Sequence, residues 1–280
     1  MLRAFTLLCA AVSLPAAANS VDLGPALHAG EARITATALG GHSGHCLRVE
    51  AENLTARPVT LRIPSGWRFG SMDSTQQDLL VVGDQVLALA PHGRAAVACR
   101  AFCCEAGDAS PVFSNAFDQG RLADESLVKL AQHLASSSYP EHAMQQAVWT
   151  VSNDTPISAI DADEGAATLA LRQFVSTLTG RPVPWYTTAF VAPSEGRAFD
   201  PTPTSITGHV EFQQRHAGVL SIVVKDADGS TIRVIDEGRD LRQGMYTIDV
   251  EITVLGWPRG RYAICFASDG VLLKKQEFEV

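Results

Sequence analysis

The sequence predicts a mainly β protein with a helical insert, in which two β-sandwiches flank a helical segment. Three observations lead to this prediction. Apolar and polar residues alternate in short runs from residue 32 to residue 104, apolar residues recur at helical spacing between residues 124 and 179, and alternation returns after residue 205. Short strands at intervals of about 8–12 residues are typical of sandwiches.

The composition is that of a globular protein. The chain has 280 residues, of which 46% are hydrophobic and 19% are charged, which argues against long disorder. At roughly 100–200 residues per domain, this length suffices for about two compact units. The formal net charge is −8 and basic residues do not cluster. This argues against nucleic-acid binding, because phosphate neutralisation needs Lys and Arg gathered on one face.

Residues 1–20 have the features of a secretory signal peptide. Arg3 supplies the positive start, an apolar run follows, and Ala16–Ala18 are the small residues that precede a cleavage site. The apolar run is shorter than the roughly 20 residues that a bilayer span needs. We therefore expect an exported protein without a membrane span, located in the periplasm, at the cell surface or outside the cell.

Residues 21–115 are predicted to form the N-terminal β-sandwich. Leu47, Val49 and Ala51 alternate with charged residues, which is typical of a half-buried strand. The same reasoning, with turns marked by glycine, proline and aspartate, predicts four further strands. They cover residues 59–63, 78–82, 86–89 and 95–103.

Residues 116–180 are predicted to form a helical segment that packs on the first domain. The spacing of apolar residues predicts helices over residues 124–134, 140–149 and 163–179. The first of these helices begins with acidic residues, and a glycine follows the last. Residues 181–205 contain five prolines, so we expect an extended linker there.

Residues 206–280 are predicted to form a C-terminal immunoglobulin-like β-sandwich. A strand, the turn Asp226–Gly229, a strand beginning Gly260–Tyr262 and the apolar end Phe278–Val280 follow one another. This pattern resembles the immunoglobulin-like modules of the flagellar hook-cap type and the C-terminal sorting domains of Bacteroidetes secreted proteins. The resemblance implies an independent sandwich and leaves open whether it is a sorting tag or a permanent module.

Five short motifs lie within residues 40–160. They are Gly40–Cys46, Ile63–Gly66, Gln77–Leu79, Ala101–Cys104 and Gln146–Trp149. Together they resemble a family of exported bacterial proteins without a settled function. The resemblance implies no catalytic residue.

Two segments in this region suggest a specific chemistry. Phe102–Cys104 and Met144–Trp149 are similar to the two signatures of Gram-positive thioester adhesin domains, an aromatic-Cys-apolar triplet and an apolar-Gln-x-x-apolar-Trp helix. In such domains the Cys and Gln side chains condense into an internal thioester that captures host amines. The resemblance implies that Cys103 and Gln145 form this pair. The alternative is that the apolar residues of the helix are ordinary core residues and that its glutamines face outward or cap another element.

The cysteines permit a competing interpretation. Removal of the signal peptide leaves an odd number of them, and an oxidising compartment favours at least one disulfide. Successive side chains of a strand point to opposite faces of the sheet. This alternation places Cys46 on an outward face, and it places Cys104 on the face opposite to that of Cys99 and Cys103. This favours a Cys46–Cys104 disulfide, with Cys46–Cys103 as the alternative, and Cys265 is expected to be a packed free thiol.

The sequence predicts neither a metal site nor a cofactor. His42, His45 and Cys46 are close in sequence, but a second cluster at zinc spacing is absent and a glycine-rich turn explains the segment. Signatures of serine hydrolases, zincins and P-loop enzymes are also absent.

We therefore expect a non-catalytic exported protein of the cell envelope or surface that acts by binding or assembly, with a protein or a surface glycan as partner. The first alternative is an adhesin with a thioester between Cys103 and Gln145. The second is an envelope hydrolase without a recognisable motif. The sequence does not determine the oligomeric state.

Overall fold

The structure is a computed structural model that describes residues 19–280, and it confirms the mainly β fold with helices in the middle. The predicted signal segment lies outside the described residues except for its last two, which begin strand β1. The strands of the N-terminal part are β1 (Asn19–Asp22), β2 (Ala32–Ala38), β3 (Leu47–Asn53), β4 (Val59–Ile63), β5 (Trp67–Phe69), β6 (Leu79–Val81), β7 (Gln85–Leu89), β8 (Arg94–Cys99), β9 (Ala101–Cys103), β10 (Ala116–Phe117) and β11 (Arg121–Leu122).

These strands form three sheets around one hydrophobic core. The sheet orders are β1-β4-β7, β10-β2-β3-β8 and β11-β5-β6-β9. The apolar positions of the alternating pattern are the buried ones. Leu47, Val49 and Ala51 of β3, for example, are all fully buried. A short helix, α1 (Leu23–His28), also contributes to this core through Leu23 and was not predicted.

The first domain extends beyond the predicted boundary at residue 115. Strand β10 pairs with β2, and β11 pairs with β5, so β structure continues to Leu122. Each of these strands has two residues, which is too short for alternation to reveal it.

Three helices then follow at the positions that the sequence predicts. They are α2 (Glu125–Ala135), α3 (Glu141–Ser152) and α4 (Gly165–Thr179), with a 3-10 turn (Ile157–Ala159) before α4. The side chain of Asp124 caps α2 by accepting a 3.0 Å hydrogen bond from the backbone N–H of Leu127. Gly180 ends α4 with φ +69°, a left-handed conformation that glycine adopts without strain.

The helices pack on the sheet that contains β6 and β9 and form a second hydrophobic core. Leu80 of β6 and Phe102 of β9 face this core, together with Leu127, Val148 and Leu171 of the helices. The opposite faces of the same two strands belong to the first core. The short strand β9 therefore lies between two hydrophobic cores.

The C-terminal part is a seven-stranded sandwich with its own core. Its sheet orders are β12-β13-β16 and β15-β14-β17-β18, which is an immunoglobulin-like arrangement. The hydroxyl of Tyr262, at the start of β17, donates a 2.7 Å hydrogen bond to the carbonyl of Pro258, as in the tyrosine corner of such sandwiches. The strands are β12 (Tyr186–Phe190), β13 (Pro203–Gln214), β14 (Gly218–Lys225), β15 (Thr231–Leu241), β16 (Gly244–Thr253), β17 (Arg261–Ser268) and β18 (Val271–Glu279).

The predicted linker over residues 181–205 is corrected by the structure. It contains β12, the first strand of the C-terminal sandwich, and its last residues open β13. The prolines obscured this strand in the sequence. They are compatible with it because β12 is an edge strand and Pro184 and Pro193 lie outside its ends.

One buried arginine joins the helical segment to the C-terminal sandwich. The guanidinium of Arg172, on α4, donates hydrogen bonds to the carbonyls of Ile160 (2.8 Å), Tyr186 (2.9 Å) and Ser158 (3.1 Å) and to the hydroxyl of Thr187 (2.8 Å). Tyr186 and Thr187 belong to β12, so this side chain links the helical segment to the first strand of the C-terminal sandwich.

We predict that Arg172→Met lowers the free energy of unfolding by about 3 kcal/mol, because three buried carbonyls lose their donor. Urea unfolding of the full chain measures this effect. Gln173→Met, at an exposed position on the same helix, is the matched control and should leave the unfolding midpoint unchanged. Equal midpoints for the two variants would contradict the role assigned to Arg172.

Candidate functional site

The candidate site is built on the outer edge of strand β9. Strand β6 pairs with one side of β9. On the other side, the backbone groups of Ala101 and Cys103 point away from the sheet, and both residues are completely buried. Buried backbone groups without partners cost free energy, so other parts of the chain must supply hydrogen bonds at this edge.

Gln145 supplies two of these hydrogen bonds. Its Oε1 accepts from the backbone N–H of Cys103 at 3.0 Å, and its Nε2 donates to the carbonyl of Cys103 at 2.8 Å. The side chain of Gln145 is buried on helix α3 and lies 42 residues from Cys103 in sequence. The structure therefore brings the two predicted site residues into direct contact, although the contact is with the backbone of Cys103.

Helix α3 continues this pairing beyond Cys103. Ser152 donates a 2.7 Å hydrogen bond to the carbonyl of Cys104, and Asn153 accepts a 2.9 Å hydrogen bond from the N–H of Ala106. Residues at positions i, i+4, i+7 and i+8 share one face of a helix. One face of α3, together with its C-cap residue Asn153, therefore serves as a partner for the chain from Cys103 to Ala106.

Gln77 holds Trp149 of the same helix face in place. The Oε1 of Gln77 accepts hydrogen bonds from the Trp149 indole Nε1 and from the N–H of Glu105, both at 3.1 Å, and its Nε2 donates to the carbonyl of Asp108 at 3.0 Å. Gln77 is fully buried. It thereby fixes the position of α3 relative to the end of β9.

The loop between β2 and β3 covers the rest of the edge, and we call residues 40–45 the strap. The carbonyl of Gly44 accepts a 2.8 Å hydrogen bond from the N–H of Ala101, and the carbonyl of His42 accepts a 3.0 Å hydrogen bond from the N–H of Cys103. The N–H of Cys103 is thus shared between the strap and Gln145.

The side chain of His42 packs against helix α3. Its ring stacks on Trp149 with a centroid distance of 6.0 Å and an interplanar angle of 22°. Burial lowers the pKa of His42, which favours the neutral ring. The strap therefore contacts the site through its backbone and through one neutral side chain.

The cysteines do not form the predicted disulfide. Among residues 19–280 all cysteines are free and buried, so neither Cys46–Cys104 nor the alternative Cys46–Cys103 is bonded. Strand parity correctly separates Cys103, in the first core, from Cys104, in the second. Cys46 departs from the prediction because it precedes β3 and belongs to the first core, where its thiol donates a 3.4 Å hydrogen bond to the carbonyl of Ala101.

The thiol of Cys103 is neutral. Burial raises the pKa of this thiol well above its ordinary value, and the neighbouring Cys46 thiol adds to the shift. Burial likewise raises the pKa of Cys46 and of Cys99 to about 12. Buried neutral thiols react slowly with external reagents.

The described residues contain no group of three or more His, Cys, Asp or Glu side chains arranged to hold a metal ion. His42 is stacked on Trp149, and His45 is exposed. None of the helices that the structure describes is long and apolar enough to span a membrane.

One histidine lies within hydrogen-bond distance of a carboxylate in a cleft. His209 Nδ1 and Asp249 Oδ1 are 2.6 Å apart and lie directly opposite each other on β13 and β16. Their side chains are 75% and 86% exposed. Among the described residues that line this cleft none is a serine or a cysteine, and the high exposure of both partners is that of a cross-strand surface contact.

Comparison of the chain with protein-family models finds no matching family, and comparison with curated proteins finds no matching sequence. The site must therefore be interpreted from its own geometry.

Sequence reasoning named Cys103 and Gln145 but missed the roles of Gln77, Ser152 and Asn153. The signal for the last two was available, because they share one helical face with Gln145.

An acidic group lies directly after the site. Arg68 donates a 2.8 Å hydrogen bond to Asp78 and also pairs with Glu105, while Glu105 accepts a 2.6 Å hydrogen bond from the N–H of Asp78. Burial raises the pKa of Glu105 to about 7, and the Arg68 guanidinium opposes this shift. Folding therefore shifts the equilibrium of Glu105 toward the protonated form relative to an ordinary glutamate.

We predict that Gln145→Ala lowers the free energy of unfolding by about 2–3 kcal/mol, because the Cys103 carbonyl loses its partner and a buried side chain is removed. Gln146→Ala is the matched control, since the buried Oε1 of Gln146 has no hydrogen-bond partner in the described chain. The control should change stability by less than about 0.5 kcal/mol. Urea unfolding distinguishes the two, and equal losses would show that Gln145 has no special contact.

We further predict that Glu105 makes a contribution to stability that falls as pH rises from 4.5 to 7, the interval between the ordinary pKa of glutamate and that of folded Glu105. Within this interval the folded state binds more protons at this position than the unfolded state does. Glu105→Gln removes this contribution, so the stability of the variant relative to wild type should rise across the interval. Thermal unfolding at several pH values measures it, and identical slopes for wild type and variant would contradict the assignment.

Proposed function

We propose that this is a non-catalytic exported binding protein of the cell envelope or surface, and that it captures amine-bearing partners through an internal thioester between Cys103 and Gln145. The observation that carries the proposal is the pair of hydrogen bonds that holds the Gln145 carboxamide on Cys103, at 3.0 and 2.8 Å. Both residues come from separate elements of the fold.

Thioester formation is a condensation of the two side chains. The Sγ of Cys103 attacks Cδ of Gln145, the Sγ–Cδ bond forms, and the Cδ–Nε2 bond breaks. The neutral thiol supplies the proton that leaves with the nitrogen as ammonia. A partner amine then attacks Cδ, which forms an amide and returns the thiol to Cys103.

The backbone of Cys103 supports this reaction electrostatically. Negative charge develops on Oε1 of Gln145 when Cδ becomes tetrahedral. The N–H of Cys103 already lies 3.0 Å from Oε1, which is the distance at which a donor stabilises such an oxyanion. No rearrangement of the backbone is required to provide this donor.

Burial supports the persistence of a thioester. Cys103 has no exposed surface and Gln145 is 2% exposed, so bulk water does not reach the reacting atoms. A buried acyl–sulfur bond is thereby protected from hydrolysis until an amine enters.

The rest of the chain fits an envelope role. Residues 1–20 have the features of an export signal, and many cell-surface proteins use immunoglobulin-like sandwiches such as the C-terminal one. The chemistry of the bond defines the partner class as a primary amine, carried by a protein lysine or by an amino group of a surface glycan.

Intact-mass spectrometry of the purified native protein under non-reducing conditions tests the proposal. We expect a mass one ammonia below that of the mature sequence, and methylamine should add one molecule of itself. Cys103→Ala should abolish both effects while it leaves the backbone hydrogen bonds in place. Cys99→Ala, at an equally buried cysteine, is the matched control and should retain both.

A wild-type protein with the unreduced mass of its mature sequence and no methylamine adduct would overturn the thioester. The same spectrum reports the mature N-terminus, which we expect close to Ala18. A mature protein that retains residues 1–20 would contradict export by cleavage of that segment.

A further inference from the structure

We propose that the strap, residues 40–45, is a gate that opens independently of the sheet and admits amines to the Cys103–Gln145 pair while the pair stays assembled. The amine chemistry in this inference rests on the proposed function. The opening of the strap is a property of the fold and is tested separately below.

The hydrogen bonds of the edge allow the strap to leave without disrupting the pair. The N–H of Ala101 is bonded to the strap alone, through the carbonyl of Gly44 at 2.8 Å. The N–H of Cys103 has a second acceptor, because Gln145 Oε1 lies 3.0 Å away in addition to the carbonyl of His42. When the strap lifts, Cys103 therefore keeps both of its hydrogen bonds to Gln145.

The ends of the strap are fixed and its interior is suited to movement. The N–H of Leu39 donates a 2.7 Å hydrogen bond to the carbonyl of Cys46 and closes the base of the loop. Between these residues, Gly40, Gly41 and Gly44 have φ values of +92°, +87° and +78°. Glycine adopts this region readily and changes conformation at low cost, as a hinge requires.

Two side chains of helix α3, Trp149 and Glu141, lie against the strap, and Glu141 covers the buried Gly44. His42 stacks on Trp149, which lies one helical turn after Gln145 on α3. His45, also in the strap, is exposed. The closed position is therefore stabilised by the aromatic contact, by the cover of Glu141 over Gly44 and by two backbone hydrogen bonds to β9, each of which is a modest contribution.

Hydrogen exchange measured by NMR on the full chain tests the opening itself. The amide of Ala101 depends on the strap, whereas the amide of Cys104, directly after β9, is bonded to the carbonyl of Asp78 at 3.0 Å on the side that faces β6. We expect the Ala101 amide to exchange at least about tenfold faster than that of Cys104, because local opening needs less free energy than unfolding of the sheet. Equal exchange of the two amides would overturn the gate.

The rate of methylamine incorporation tests whether the strap controls the access of amines to the Cys103–Gln145 pair. His42→Ala removes the stacking contact and should speed incorporation about threefold to tenfold, together with exchange of the Ala101 amide. His45→Ala is the matched control in the same strap and should leave both rates at the wild-type value.

The outcomes separate this inference from the proposed function. Loss of ammonia with equal methylamine rates in wild type, His42→Ala and His45→Ala would overturn the gate and leave the thioester. Absence of the ammonia loss would overturn the thioester and the gating of amines together. Exchange of the Ala101 amide would then decide whether the strap still opens as a separate unit.

Discussion

Two hydrogen bonds between the Gln145 carboxamide and the backbone of Cys103 are the interaction on which the first domain depends. Strand β9 lies between two hydrophobic cores, so the polar groups on its outer edge have no access to water. A further strand could have paired with this edge. The protein uses a helix and a loop instead, and the amide side chain of Gln145 has the same donor and acceptor groups as a peptide unit.

This arrangement explains why polar residues occur inside helix α3. A helix between a sheet and two other helices would ordinarily be apolar on its buried faces. Gln145 and Ser152 are exceptions because Gln145 bonds to Cys103 at the end of β9 and Ser152 bonds to Cys104 directly after it, and Asn153, which caps the helix, bonds to Ala106. Arg172 has a similar role at the other end of the helical segment, where it donates hydrogen bonds to buried carbonyls of the helical segment and of β12. Side chains therefore complete the backbone hydrogen bonding at both of these places.

Much of the secondary structure could be predicted from the sequence, and the exceptions have physical causes. Alternation identified β3 and β4, and helical spacing identified α2, α3 and α4 with the stop at Gly180. The two-residue strands β10 and β11 are too short to show alternation, and prolines around β12 made an edge strand resemble a linker. The disulfide pairing was not predictable by parity, because Cys46 lies in a glycine-rich loop where alternation does not apply.

The sequence by itself determined the two sandwiches, the helical segment between them and, by resemblance to paired motifs, Cys103 and Gln145 as the residues of interest. Only the tertiary structure decided that Gln145 rather than Gln146 reaches the strand, that all the described cysteines are buried and unbonded, and that the strap covers the pair. The physical reason is that periodicity reports which side of an element is buried. It does not report which backbone groups remain without a partner at the edge of a sheet, and those groups select the residues of this site.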